Sequence, residues 1–314
     1  MTQKSVVTFY TIEEIDNYLK IGRSVERYCN KNDIVGTFFS TLQGINTTLS
    51  GNEESLKGLI VLLQEKYKLN ISSQTWSKSK NNPFKRLKVK CRKNLLPLEG
   101  NFDPVNSRGK YLNYSDWNQL ISDPDTLIID VRNDYETEIG SFKNSIIPNI
   151  KNLTEFPNFV EKMLSTKKNK KIAMFCTGGI RCEIASSFML SEGFTNVSQL
   201  EGGVLRYLND VQDEKNLWQG ECFVFDDRVT VDKNLKKGDY LQCFGCRRPL
   251  TKDDLESEFY KKGVSCHKCF HTSSDMDRER FAQRQLQIEL AEKKGYTHMG
   301  ANAKQSKRSV SYTH

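Results

Sequence analysis

Histidine is nearly missing from this 314-residue chain, and its four copies, His267, His271, His298 and His314, all fall in the last fifth. A Cys–His dyad could form only if that end folded over the rest, and a two-histidine, one-carboxylate iron site would have to lie wholly within it. Neither is expected. No Gly-x-Gly-x-x-Gly opens a helix after a strand pattern, so no nicotinamide or Rossmann-bound flavin site is indicated. The longest apolar run, around Leu59 to Leu63, is too short to span a bilayer, and no N-terminal stretch has the basic, apolar and small-residue order of a secretion signal. The expectation is a cytoplasmic protein with no membrane partner. Nine cysteines in such a chain point to catalysis and metal binding rather than to a disulfide scaffold.

The most informative of these cysteines is Cys176. The loop Cys176-Thr177-Gly178-Gly179-Ile180-Arg181 follows a buried-strand pattern, Lys171 to Phe175, and precedes a helix pattern carrying Ile184, Ala185, Phe188 and Met189. Amide groups converge at such a junction and the helix dipole is positive there, and both favour a thiolate. Gly178 and Gly179 let the backbone curl toward the sulfur, and Arg181 adds a cation. Cys176 is therefore the candidate nucleophile, expected at the mouth of a sheet where a substrate can reach it. Cys182 could act as a resolving thiol, although a core position suits it better. The loop holds one residue fewer between cysteine and arginine than cysteine phosphatases use. Asp130, like Cys176, ends a strand pattern, where ligands gather in parallel sheets. Arg132 could bind the loop or an anionic substrate; the alternative is an internal charge network of Asp130, Arg132 and Glu136 that props the loop.

Patterning divides the chain further. Residues 1–98 read as strand Val6–Tyr10, helix Ile12–Tyr28, strands Ile34–Phe39 and Ile45–Leu49, helix Glu53–Tyr67 and strand Leu87–Cys91. That βαββαβ order predicts a ferredoxin-like sandwich, read as a docking domain. A linker follows at 99–112. The α/β unit at 113–215 has strand patterns at Leu127–Val131, Ser145–Ile147, Lys171–Phe175 and Val197–Leu200, expected to form a parallel sheet covered on both faces. A Cys-rich segment is expected at 216–275, then a helical stretch and a disordered basic tail over 276–314 that includes Lys304, Lys307 and Arg308.

The formal net charge of +8 has a local source. Between Lys78 and Lys93 there are eight basic residues and no acidic one, interleaved with Trp76 and Phe84. Lys85, Arg86, Lys88 and Lys90 form a candidate phosphate-tracking surface, with Leu87 and Val89 alternating into the core; the alternative is a solvated basic strand. Near the other end, Cys243-x-x-Cys246 is followed after nineteen residues by Cys266-x-x-Cys269. Two such pairs complete a tetrahedron suited to structural zinc, with Gly245, Pro249 and Gly263 forming turns and His267 and His271 as possible substitute ligands. Paired reducible thiols are the alternative.

The loop Cys176 to Glu183 resembles the active-site loop of rhodanese domains, in the version carried by rhodanese-related tRNA uridine hydroxylases. Asp130-Val131-Arg132-Asn133-Asp134-Tyr135-Glu136 and Glu201-Gly202-Gly203 resemble further rhodanese segments. Gly44-Ile45-Asn46 with Leu49-Ser50-Gly51, Phe84 to Lys90, and Phe223 to Val229 resemble the flanking parts of that family. The resemblance implies an oxidoreductase that hydroxylates carbon 5 of the wobble uridine, with molecular oxygen as co-substrate, the tRNA anticodon region as partner and Cys176 as catalytic residue. It also implies Thr177 to Arg181, Asp130 and Arg132 as loop or substrate-binding residues, and Lys85, Arg86, Lys88 and Lys90 as RNA-binding. Two departures stand out: Gln43 replaces a glutamate frequent in the family, and Gly140-Ser141-Phe142 lacks a histidine that many rhodaneses carry. A sulfurtransferase carrying a persulfide on Cys176 is the alternative enzyme, and an RNA-binding scaffold the alternative class.

Overall fold

A computed structural model describes residues 3–71 and 73–295. They form two compact units, 1–239 and 240–314, the second described as far as residue 295.

The first unit opens with a five-stranded sheet. Strands β1 (Lys4–Ile12), β2 (Val35–Thr41) and β3 (Gly44–Gly51) alternate with helices α1 (Tyr18–Lys31) and α2 (Glu53–Tyr67), followed by β4 (Gln74–Ser79) and β5 (Leu87–Arg92). The strand order is β4-β1-β3-β2-β5. Alternation sends Val7, Phe9, Phe38, Ile45 and Leu49 toward the helices, where they join Ile21, Val25, Leu56 and Leu63 in one core. α2 starts where its pattern predicts, because the Asn52 side chain accepts a hydrogen bond from the Glu54 amide and two glutamates occupy its positive end.

The ferredoxin-like order is present with two changes. β1 keeps pairing with β3 as far as Ile12, so α1 begins at Tyr18 instead of Ile12. The fourth strand is Gln74–Ser79, whose only large apolar residue, Trp76, gives little period-two signal. Leu87–Arg92 is a fifth, edge strand parallel to β2. Its Leu87 and Val89 pack against the core and its Lys88 and Lys90 are exposed, as alternation predicts.

The second sheet of this unit is parallel, in the order β6-β10-β9-β7. Its elements are β6 (Lys110–Leu112), α3 (Tyr114–Ile121), β7 (Leu127–Asp130), α4 (Asp134–Thr137), β8 (Gly140–Phe142), α5 (Phe156–Leu164), β9 (Lys171–Phe175), α6 (Ile180–Ser191), β10 (Asn196–Leu200) and α7 (Gly203–Asp210). Apolar side chains fill both faces of β9: Ile172 and Met174 on one, Ala173 and Phe175 on the other. The last residues of the expected linker are thus the edge strand β6. At Ser145–Ile147 only a single bridge, Ile146 to Ile129, replaces the expected strand.

The region expected to open the Cys-rich segment belongs to the first unit. β11 (Trp218–Gly220) pairs with β8, placing Trp218 beside Phe142, and β12 (Cys222–Phe223) pairs with β13 (Thr230–Val231). The second unit starts at Tyr240 and holds β14 (Leu241–Gln242), β15 (Pro249–Leu250) and α8 (Asp275–Lys293). The expected basic tail lies outside the described residues. Among the described residues no helix is long and apolar enough to cross a membrane.

Candidate active site and metal centre

Cys176 follows the central strand β9 and precedes α6, so its sulfur sits inside a ring of loop amides. Gly179, at φ 93°, turns its N–H onto the Cys176 sulfur at 3.2 Å. Gly203 lies so close to the Cys176 carbonyl that a side chain there would collide with it. The next two amides, of Val204 and Leu205, donate to the carbonyls of Cys176 and Thr177 at 2.9 and 3.0 Å. Two helix N-termini therefore hold the loop. Burial opposes ionisation of the sulfur, but the Cys182 thiol, the Arg181 charge and the amides of Cys182 and Arg181 outweigh it and bring the pKa down to about 6. Cys182 is fully buried and its thiol is pushed well up by burial and by the neighbouring sulfur.

A charge network stiffens the loop from below. The Glu136 carboxylate, without exposed surface, accepts from Arg181 at 2.5 and 2.8 Å and from the Thr177 hydroxyl at 2.9 Å. Burial resists its ionisation, yet the Arg181 charge and its hydrogen bonds hold Glu136 below the ordinary carboxylate range. Arg132 is equally buried; its guanidinium is consumed by Asp130 at 2.6 and 2.8 Å and by the Gly140 carbonyl at 2.5 Å. Asp130 and Arg132 are thus spent on each other and on the backbone in this arrangement, as in the propping alternative. Ser141, in the stretch lacking the family's histidine, donates to Asp130 at 2.9 Å.

Sequence reasoning missed the cover of the loop. Tyr10, on β1, reaches across with its hydroxyl to Glu183 at 2.7 Å, and that hydroxyl lies 2.7 Å from where a side chain on Gly179 would begin. Glu183 has no exposure and also accepts from Tyr111 at 2.9 Å and Gln199 at 3.3 Å, with Arg108 3.7 Å away. Burial raises the Glu183 pKa despite these partners. Under this cover the Cys176 sulfur has no exposed surface. The expectation of a sulfur reachable by a substrate is therefore not met in this arrangement, in which Cys176 also belongs to the core of its own domain with Val131, Ile150 and Met174. The available signal was the alternation of β1, which puts Thr8 and Tyr10 on the face opposite Val7 and Phe9.

Beside the loop, the open face of the first sheet leaves a cavity of about 130 Å³ lined by Thr177, Gly178, Ile180 and Arg181 and by residues of the N-terminal domain and of the stretch after β12. Across the same sheet, strand register aligns Tyr10, Asn46, Phe39 and Lys90 in one row and Thr8, Thr48, Thr37 and Lys88 in the next. The Phe39 ring carries the Lys90 ammonium at 5.8 Å and the Arg92 guanidinium at 4.6 Å. Lys85 and Arg86 are exposed just before β5.

In the second unit the sulfurs of Cys243, Cys246, Cys266 and Cys269 all lie within 4.8 Å of one another. The closest pairs, 3.8 to 3.9 Å apart, match the separation of about 3.8 Å that tetrahedral zinc with bonds of about 2.3 Å imposes. The donor set fits a metal such as zinc. His267 faces Asp254 at 3.6 Å and His271 packs on Phe259 and Phe270, so neither replaces a cysteine.

A family model described as the UPF0176 acylphosphatase-like domain matches residues 4–95, and the rhodanese-like domain model matches residues 114–210. Among solved structures, a rhodanese-related protein from Thermoplasma volcanium is similar at 28% identity over 32% of this chain and 92% of that one, with a TM-score of 0.27. A rhodanese-like domain from Anabaena sp. is similar at 20% identity over 35% of this chain and 78% of that one, with a TM-score of 0.29. A protein from Staphylococcus saprophyticus is similar at 19% identity over 34% of this chain and 93% of that one, with a TM-score of 0.26. With an acylphosphatase-like domain ahead of a rhodanese-like domain, the chain is a rhodanese-related protein matching the UPF0176 family.

Proposed function

We propose that this protein is a tRNA-modifying oxidoreductase that hydroxylates carbon 5 of the wobble uridine, with molecular oxygen as co-substrate and Cys176 as nucleophile. The observation that carries the reading is a sulfur set between a strand end and a helix N-terminus, taking the Gly179 N–H at 3.2 Å, an arrangement that brings its pKa down to about 6. Once the Tyr10 cover opens, the thiolate adds to carbon 6 of the uracil and its electron pair moves into an enolate reaching carbon 5. Carbon 5 then attacks oxygen, an external two-electron reductant completes the reduction of the second oxygen atom to water, and loss of the carbon 5 proton expels the thiolate. The loop amides and Arg181 stabilise the anionic stages. Lys85, Arg86, Lys88 and Lys90 serve the tRNA phosphates, supported by their position on and next to the exposed β5 edge. The four cysteines of the second unit hold zinc as a closed structural site. The cytoplasm is the proposed location.

The sealed sulfur favours one second reading, a sulfurtransferase, because the outer atom of a persulfide needs less room than a nucleobase. Nucleoside analysis of tRNA from a deletion strain, complemented with wild type or Cys176→Ser, tests both. The hydroxylase reading expects the oxygen at carbon 5 to disappear and to return only with wild type. Loss of a thiolated nucleoside instead would favour sulfur transfer, and an unchanged profile would overturn both.

A further inference from the structure

The cavity beside the Cys176 loop has a wall that the reaction proposed above does not use. Opposite the loop residues Thr177 to Arg181, the open face of β1 and β3 supplies Thr8, Asn46 and Thr48, the turn before β5 supplies Phe84, and the stretch after β12 supplies Phe225. The pieces are tied together, since the Asp227 amide donates to the Pro83 carbonyl at 2.8 Å and Arg228 donates to Ser77 of β4 at 2.9 Å. Phe225 remains 63% exposed although it is a large apolar ring at the rim of a preformed site, and Arg181 of the loop stands 5.9 Å from its centre. The ring meets the buried Phe223 edge-on at 5.2 Å and leaves most of its surface free, which suits a stacking role.

The polar lining is selective. Thr8 and Thr48 bond each other at 3.0 Å, which leaves the Asn46 amide as a lining group whose side chain has no hydrogen-bond partner among the described residues. An amide presents one acceptor and two donors side by side, which complements the N–H and C=O edge of a pyrimidine. A dry cavity of about 150 Å³ accommodates a benzene ring, so a space of about 130 Å³ is on the scale of one six-membered ring and too small for a whole nucleotide.

We infer that this cavity binds a single unstacked pyrimidine base of an RNA strand, stacked on Phe84 and Phe225 and read at its edge by Asn46. The inference deepens the tRNA reading proposed above and rests on it for the nature of the strand. The register supplies the path by which the strand leaves: from Asn46 the row continues through the Phe39 ring to Lys90, so a neighbouring base meets an aromatic surface and a phosphate meets a cation.

The test uses the full chain and a short single-stranded oligoribonucleotide carrying one 5-iodouridine, crosslinked by light and mapped by mass spectrometry. Crosslinks are expected at Phe84 or Phe225. Phe225→Ala, with its fold checked by circular dichroism, is expected to weaken binding about ten- to a hundredfold, and Asn46→Ala to reduce the preference for uridine over purines. Crosslinks mapping only elsewhere, or unchanged binding by Phe225→Ala, would overturn the inference. The two readings fail separately. If wild type hydroxylates tRNA and Phe225→Ala retains its KM and kcat, the pocket assignment falls alone. If wild type leaves carbon 5 untouched but crosslinks at these rings, the hydroxylase falls and the pocket stands.

Discussion

Replacing Cys182 with alanine takes one donor from the Cys176 sulfur and leaves the rest of the ring in place. The drop from an ordinary thiol at 9.0 to about 6 favours the thiolate by on the order of 4 kcal/mol. Because burial works in the opposite direction, the donors must together supply more than that. They are the Cys182 thiol, the Arg181 charge and the amides of Cys182 and Arg181, joined by the Gly179 amide. A hydrogen bond to a charged group contributes roughly 1.5–3 kcal/mol. Cys182→Ala should therefore raise the Cys176 midpoint by about one to two pH units, while Cys182→Ser, which keeps a donor, should stay near wild type. The assay is thiolate ultraviolet absorbance against pH, taken as a difference from Cys176→Ser so that the other cysteines cancel. Stability follows the same sign: the folded value lies below the unfolded one, so the thiolate's contribution is full above about pH 9 and is lost as pH falls through about 6. Wild type should accordingly gain stability on Cys176→Ser across that window. A folded Cys182→Ala protein with an unmoved midpoint would refute this account of the sulfur's donors.

Glu136→Ala leaves the Arg181 charge without its carboxylate in a buried site, and should lower stability by about 3–5 kcal/mol, read as a fall in the urea midpoint. Tyr10→Ala removes the hydroxyl that bonds Glu183; at about 1–1.5 kcal/mol for that bond, iodoacetamide should label Cys176 on the order of ten times faster, with peptide mapping to confirm the site. Purified protein should carry zinc by elemental analysis, and Cys246→Ser should lose it and become protease-sensitive within 240–295 while the Cys176 titration stays unchanged.

What could be read from the chain beforehand was local. The Cys176 loop is a run of six residues between one strand and one helix, and each Cys-x-x-Cys pair is set by a single turn, so spacing alone places those sulfurs. Asp130 and Arg132 were visible for the same reason, two residues apart, although the depth of their burial was not. Tyr10 and Glu183 are 173 residues apart. No short-range pattern can signal a contact that exists only because a tyrosine on the open face of one sheet meets the loop of another. The strand Gln74–Ser79 escaped for a different reason: an edge strand with one tryptophan among polar residues has almost no hydrophobic period to detect.

The tyrosine that closes over Gly179 also sets when the sulfur can be harmed. A freely exposed thiolate with a pKa of about 6 would be among the first groups in the chain to climb from sulfenic to sulfinic acid when peroxide is present. Kept without exposed surface, it meets peroxide only when the fold opens around it. Irreversible damage then accumulates with the number of openings rather than with elapsed time, and an idle molecule ages more slowly than a working one.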